Sequence, residues 1–183
     1  MSDGNLPLKT ERLTLRVHRE GDDAWMLPIY ARPEVARYIP FEPWTAEEAA
    51  AQLAKRLTRT GLESESDALA LVIEHEGEPI GEIGFWLTDK PHWVAEIGWV
   101  LDPAHGGRGF ASEAVRAVLD FAFDRYPLHR VHARVDARNE ASAALARRVG
   151  MTQEACLRED EWFKGEWSTT LIFGMLASDR AEV

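Results

Sequence analysis

Apolar positions recur along the chain with two periods, and the switches between them predict its elements. Arg12-Leu13-Thr14-Leu15-Arg16-Val17 alternates polar and apolar and reads as a first strand. Glu20-Gly21-Asp22-Asp23 makes a turn and a helix cap, after which Trp25, Met26, Ile29 and Tyr30 share a helical face. A second helical piece runs from Pro33 through Val35 and Tyr38, and Pro40-Phe41-Glu42-Pro43-Trp44 is a stiff aromatic loop. Thr45-Ala46-Glu47-Glu48 is a capping box for a helix carrying Leu53 and Leu57. Gly61 and the acidic run from Glu63 to Asp67 predict a solvated loop. Ala68 to Glu74 and Pro79 to Leu87 predict a hairpin that turns at His75-Glu76-Gly77-Glu78.

The next strand, His92 to Leu101, places Ile97, Trp99 and Leu101 on one face and Glu96, Gly98 and Val100 on the other. Gly98 marks a bulge or a close approach. Asp102-Pro103 stops the strand, because proline removes a ladder donor. Gly106, Gly107 and Gly109 follow, and from about Ala111 the period turns helical, with Val115, Val118, Leu119 and Ala122 on one face. Tyr126-Pro127 ends that helix. Val131 to Val135 is a strand, Asn139 caps a helix that Gly150 ends, and two strands, Cys156 to Trp162 and Trp167 to Leu176, surround the turn at Lys164-Gly165. This order predicts a mixed α/β sheet with one crossover helix behind the glycine turn. Residues 1–10 read as a loose arm, 11–178 as a single domain and 179–183 as a tail.

Composition narrows the class. The 183 residues suffice for one domain with a core, and 45% hydrophobic with 28% charged residues is ordinary for a globular chain. The single cysteine, Cys156, excludes an internal disulfide, predicts a small buried hydrophobe and fits a reducing compartment. The start has no long apolar run and no stretch is long enough to span a bilayer, so the expected location is cytoplasmic, without membrane partners. A net charge of −10 argues against nucleic acid as a partner. Solubility alone accounts for that acidity, and it would also favour a cationic substrate.

The glycine turn is the strongest chemical signal. A strand, a glycine-rich turn and a helix start aim free backbone N–H groups and a positive helix end at one spot, which suits a phosphate. A P-loop would need Lys followed by Ser or Thr at its end, which is missing, and a dinucleotide fingerprint would need glycine where Ser112 stands. Gly106-Gly107-Arg108-Gly109-Phe110-Ala111 resembles the acetyl-CoA pyrophosphate loop, Q/R-x-x-G-x-G/A, of the GNAT N-acetyltransferases, with glycine at 106 where the family usually has Gln or Arg. The run from Glu96 to Ala114 looks like the branch containing the RimJ and RimL ribosomal-protein acetyltransferases. Asn139-Glu140-Ala141-Ser142 followed by Arg148-Val149-Gly150 is similar to the second signature of that branch. The likeness covers residues 11 to 176.

The resemblance implies a mostly antiparallel sheet with splayed central strands and acetyl-CoA as co-substrate, with no metal. It implies cofactor contacts from the backbone at Trp99 and Leu101, from the loop at Gly106, Gly107, Arg108, Gly109, Ala111 and Ser112, and from Asn139, Ser142 and Arg148. The tyrosine that serves as general acid in the wider superfamily corresponds to Ala146, so Ser142 or water would protonate the thiolate. Glu82 and Glu96 are the candidate bases. His92, His105, His129 and His132 lack metal-ligand spacing, and His105 adjoins the loop. Ser168 stands where the branch often has Asp. Trp44, Trp86, Trp93, Trp162 and Trp167 are candidates for an acceptor pocket or for the core. The implied partner is an amine acceptor, such as a protein N-terminus or a small molecule, and the resemblance admits a homodimer. A non-catalytic acyl-CoA sensor and a nucleotide-binding protein remain the alternatives.

Overall fold

A computed structural model describes residues 6–182. Its strands are β1 (Leu8–Lys9), β2 (Leu13–Val17), β3 (Thr60–Gly61), β4 (Ala68–His75), β5 (Glu78–Asp89), β6 (Val94–Leu101), β7 (Arg130–Asp136), β8 (Thr152–Phe163) and β9 (Glu166–Leu176). Its helices are α1 (Asp23–Tyr30), α2 (Pro33–Ala36), α3 (Ala46–Leu57), α4 (Phe110–Arg125) and α5 (Glu140–Arg148). The strands form one sheet in the order β1-β2-β4-β5-β6-β7-β9-β8, with β3 paired to β4. All pairs are antiparallel except β6 with β7, whose parallel pairing needs the crossover that α4 supplies. The sheet is the mixed, mostly antiparallel α/β architecture expected from the sequence.

Each face of the sheet has its own apolar cluster. Ile83, Phe85 and Ile97 are buried with Val115, Val118, Leu119 and Ala122 of α4 and Leu145 of α5. On the opposite face Met26, Ile29 and Tyr30 of α1 pack with Trp44, Ala49 and Leu53, and Val100 of β6 joins them. The period of two along β5 and β6 therefore turns Glu82, Gly84, Trp86, Glu96, Gly98 and Val100 towards α1–α3. Pairing between β6 and β7 stops after three rungs, Val94 with Arg130, Ala95 with Val131 and Glu96 with His132. Beyond them both strands continue without each other, and the sheet opens between Ile97–Leu101 and Ala133–Asp136.

Several expectations need correction. Residues 1–5 of the expected arm lie outside the described residues, but Leu8 is buried and pairs with Leu15, so the rest of it is not loose. The expected tail is a 3-10 helix over Ala177–Glu182, and Arg180 pairs with Asp120 and Asp124 of α4. Gly61, expected in a loop, pairs with Ala68 in a short ladder. Cys156 is exposed, because β8 is an edge strand with almost no cover on either side. Gly98 lies opposite Gly84 in regular register, so of its two readings the bulge fails and the close approach holds, an added Cβ standing 3.4 Å from the Trp86 ring.

Candidate active site

The open wedge between β6 and β7 is part of a cleft of about 1390 Å³. It is lined at one end by the start of α4, and at the other by β5 and residues of α1–α3. All the expected site residues line it except Arg108.

At the α4 end the walls are backbone. Asp102 Oδ1 accepts the Ala104 N–H at 3.0 Å, closing a 3-10 turn over Pro103–His105. Gly107 and Gly109 have φ of +73° and +82°, dihedrals that L side chains rarely adopt. A Cβ on Gly107 would meet nothing within 4 Å, so the backbone angle, not space, calls for glycine there. Gly109 is the N-cap of α4 and provides no side-chain cap, which leaves the first N–H groups of the helix free for an anion. Ser112 Oγ accepts from Arg148 Nη1 at 3.2 Å, and Arg116 donates to the Arg148 carbonyl at 2.6 Å. Two guanidinium groups without carboxylate partners among the described residues thus stand beside the helix start. Arg108 instead stacks on Phe110, its guanidinium carbon 4.6 Å from the ring centroid. The turn is tied down from afar: Glu113 accepts from Thr10 Oγ1 and from Arg12 N and Nε, and Arg12 Nη1 donates to the Arg108 carbonyl.

The wedge is lined by Trp99 and Leu101 of β6, by Asn139 at the N-cap of α5 and by Ser142 of α5. Asn139 Oδ1 accepts the Ser142 N–H at 3.1 Å and so caps α5. Trp99 Nε1 donates to Ser142 Oγ at 3.2 Å. That bond occupies a lone pair of the hydroxyl and leaves its proton available for donation. Ala146 is fully buried. No tyrosine stands at that position: Tyr30, in the α1–α3 cluster, and Tyr38, bonded to the Arg138 carbonyl, line other parts of the cleft, and Tyr126 is at the end of α4.

On the α1–α3 side the floor carries two carboxylates. Glu96 Oε2 lies 3.3 Å from His132 Nε2, and both side chains are partly exposed. The pair sits on the last rung before the strands part. Trp86, opposite Glu96, lies against the glycine pair Gly84 and Gly98, where added Cβ atoms would stand 3.2 and 3.4 Å from its ring.

Glu82 is not the surface carboxylate that its strand position suggests. It is buried, accepts from Arg56 Nε and Nη2 and from the Tyr30 hydroxyl, and lies 3.0 Å from His18 Nε2. Burial opposes its charge, but His18 and Arg56 outweigh burial and hold its pKa at about 2. Burial, and then the charge of Glu82, raise the Tyr30 hydroxyl well above its ordinary value. Tyr30 stacks on Trp44, with centroids 3.9 Å apart and planes 8° apart. Asp22 extends the network through two hydrogen bonds from Arg16.

Sequence reasoning missed His18, Tyr30 and Arg56 as partners of Glu82, and His132 as the partner of Glu96. Of the five candidate tryptophans Trp86 lines the cleft. Trp44 is core, Trp93 stacks on Tyr126, and Trp162 and Trp167 form an exposed edge-to-face pair on the β8–β9 hairpin. Among the described residues no three His, Cys, Asp or Glu side chains group to hold a metal ion, and no helix is long and apolar enough to cross a membrane.

Comparison with known proteins agrees with this geometry. The family described as acetyltransferase (GNAT) domain matches residues 12–152. An uncharacterised N-acetyltransferase of Bacillus licheniformis is 32% identical over 174 residues, covering 95% of this chain and 98% of its own length. A crystal structure of a GNAT-family acetyltransferase from Bacillus anthracis superposes with a TM-score of 0.84 at 26% identity, covering 93% of this chain and 98% of that one. RimL, a ribosomal-protein α-N acetyltransferase solved with coenzyme A, shares the fold with a TM-score of 0.82 at 20% identity, covering 93% and 97%.

Proposed function

Because the chain belongs to the GNAT acetyltransferase family, we propose that it transfers the acetyl group of acetyl-CoA to a primary amine by direct attack in a ternary complex. The acceptor is a protein N-terminus or a small-molecule amine. The observation that carries this reading is the opening of β6 from β7, which joins a helix start with free N–H groups to the Glu96–His132 pair.

The residues fit coenzyme A. The uncapped start of α4, with Arg116 and Arg148 beside it, would hold the phosphates. The free edges of β6 at Trp99 and Leu101 would pair with the pantetheine arm as an added strand, and Asn139 would border it. When bound, the thioester supplies the electrophilic carbonyl.

Of the two candidate bases we assign the role to Glu96. Glu82, with a pKa of about 2 and both oxygens engaged, is a weak base, and it serves to hold Arg56 and Tyr30 in place. Glu96, backed by His132, takes the ammonium proton directly or through water. As the C–N bond forms and the C–S bond breaks, Ser142 or a water returns a proton to the sulfur. Trp99 orients the Ser142 hydroxyl for this. Holding the amine against the carbonyl supplies much of the rate.

Release of free thiol from acetyl-CoA across a panel of amines tests the proposal. Turnover that depends on the amine supports it. Tight acetyl-CoA binding without turnover on protein N-termini, aminoglycosides, polyamines or amino acids would favour a sensor.

A further inference from the structure

Sorting the arginines that line the cleft by what they touch sets one apart. Arg12 pairs with Glu113, Arg134 with Asp160 and Arg56 with Glu82. Arg116 and Arg148 stand at the start of α4, where phosphates are expected. Arg59 follows α3 and lines the same cleft from the α1–α3 side. It is half-buried, and its guanidinium meets no carboxylate among the described residues.

Its neighbours do not neutralise it. The charge of Glu82 reaches it, but two hydrogen bonds from Arg56 already engage that carboxylate. Burial first, and then the like charge of Arg56, lower the pKa of Arg59. A cation partly removed from water beside a second cation is unfavourable until an anion completes it. A guanidinium in that state matches a carboxylate through two parallel N–H bonds.

We propose that Arg59 anchors a carboxylate on the acceptor amine, so that the acceptor is an amine with an acid group at its far end. The inference deepens the acetyl-transfer reading and rests on it. The register sets the spacing. Glu96 is opposite Trp86, and Gly84 is opposite Ala70, whose N–H donates to the Arg59 carbonyl, so Arg59 stands three strands across and two residues along from Glu96. At about 4.8 Å per strand and about 3.4 Å per residue these backbones are roughly 16 Å apart. The amine and the acid are therefore separated by several bonds, as in an ω-amino acid or a peptide with an acidic side chain behind its N-terminus. The Trp86 ring, spread against Gly84 and Gly98, is the surface over which the intervening chain lies.

Matched probes test this: straight-chain aminoalkanoates of increasing length against alkylamines of equal length, with kcat/KM read by free thiol. Wild type should favour the acid-bearing member by about tenfold or more at the longer lengths. Arg59→Gln should abolish that preference, Arg59→Lys should keep much of it, and neither should move the KM for acetyl-CoA. Equal or better turnover of the alkylamines by wild type, or an unchanged preference in Arg59→Gln, would overturn the proposal. If no amine in either series releases thiol, the acetyl-transfer reading is decided on the wider amine panel, separately from the anchor. Calorimetry of the same pairs on CoA-saturated protein then decides the anchor. Tighter binding of the aminoalkanoate by wild type but not by Arg59→Gln supports it, and equal binding overturns it.

Discussion

The two ends of the cleft are made of different material. At the α4 end the walls are peptide groups: two glycines in the left-handed region, an uncapped helix start and a turn closed by Asp102. At the α1–α3 end they are side chains, and the central one, Glu82, is buried among Arg56, Tyr30 and His18. A backbone site makes small demands on fold stability, because its polar groups stay in water until the ligand arrives. A buried ionic node is coupled to the whole fold, because removing one partner strands the other in a dry interior. Damage at the first end should cost binding, and damage at the second should cost stability.

Glu82→Gln should give the largest effect. It leaves the Arg56 guanidinium without its carboxylate, at a cost of about 3 kcal/mol or more, and thermal melting should fall by roughly 6 °C or more. The KM for acetyl-CoA should stay near wild type. A variant that melts like wild type would break the contrast between the two ends.

Acid should reproduce the loss reversibly. Glu82 has a pKa of about 2 in the fold against an ordinary 4.5. Its contribution is complete above pH 4.5 and is lost as pH falls from there through about 2. The difference corresponds to about 3 kcal/mol. Denaturant titrations across that window should show the decline in wild type and a smaller one in Glu82→Gln.

Gly109→Val should act at the other end. The φ of +82° strains any branched residue, at about 1–2 kcal/mol, while the buried face of α4 still forms. Circular dichroism should stay near wild type while acetyl-CoA affinity falls at least about tenfold, or about 1.4 kcal/mol. Normal acetyl-CoA binding by the folded variant would remove the phosphate from this turn. The smallest effect is expected from Asn139→Ala, about 1 kcal/mol of stability from the lost cap, together with a raised KM for acetyl-CoA. An unchanged KM would reduce Asn139 to a cap alone.

The same contrast explains what was legible in the sequence. The glycine turn, the Thr45–Glu48 capping box and the Asn139 cap are written within a few residues, because each rests on local dihedrals or on a side chain reaching its own helix. The hairpin of β4 and β5 and the crossover through α4 follow from periodicity and length. The Glu82 node is assembled from residues 26 and 52 positions away, and nothing local marks Arg56 or Tyr30 as its partners. Register decided the rest: Glu96 meets His132 only because β6 and β7 pair for three rungs. Edge position exposed Cys156, and the pairing of Leu8 with Leu15 ordered a segment whose composition suggested an arm.

The central claim is that acetyl-CoA entering from the α4 end meets an amine on the α1–α3 face, and that the acetyl group passes directly between them. Initial rates with acetyl-CoA and a turned-over amine varied together test it most directly. Direct transfer predicts double-reciprocal lines that intersect, because both substrates must be bound before either product leaves. Parallel lines, the mark of an acetylated enzyme formed before the amine binds, would contradict it.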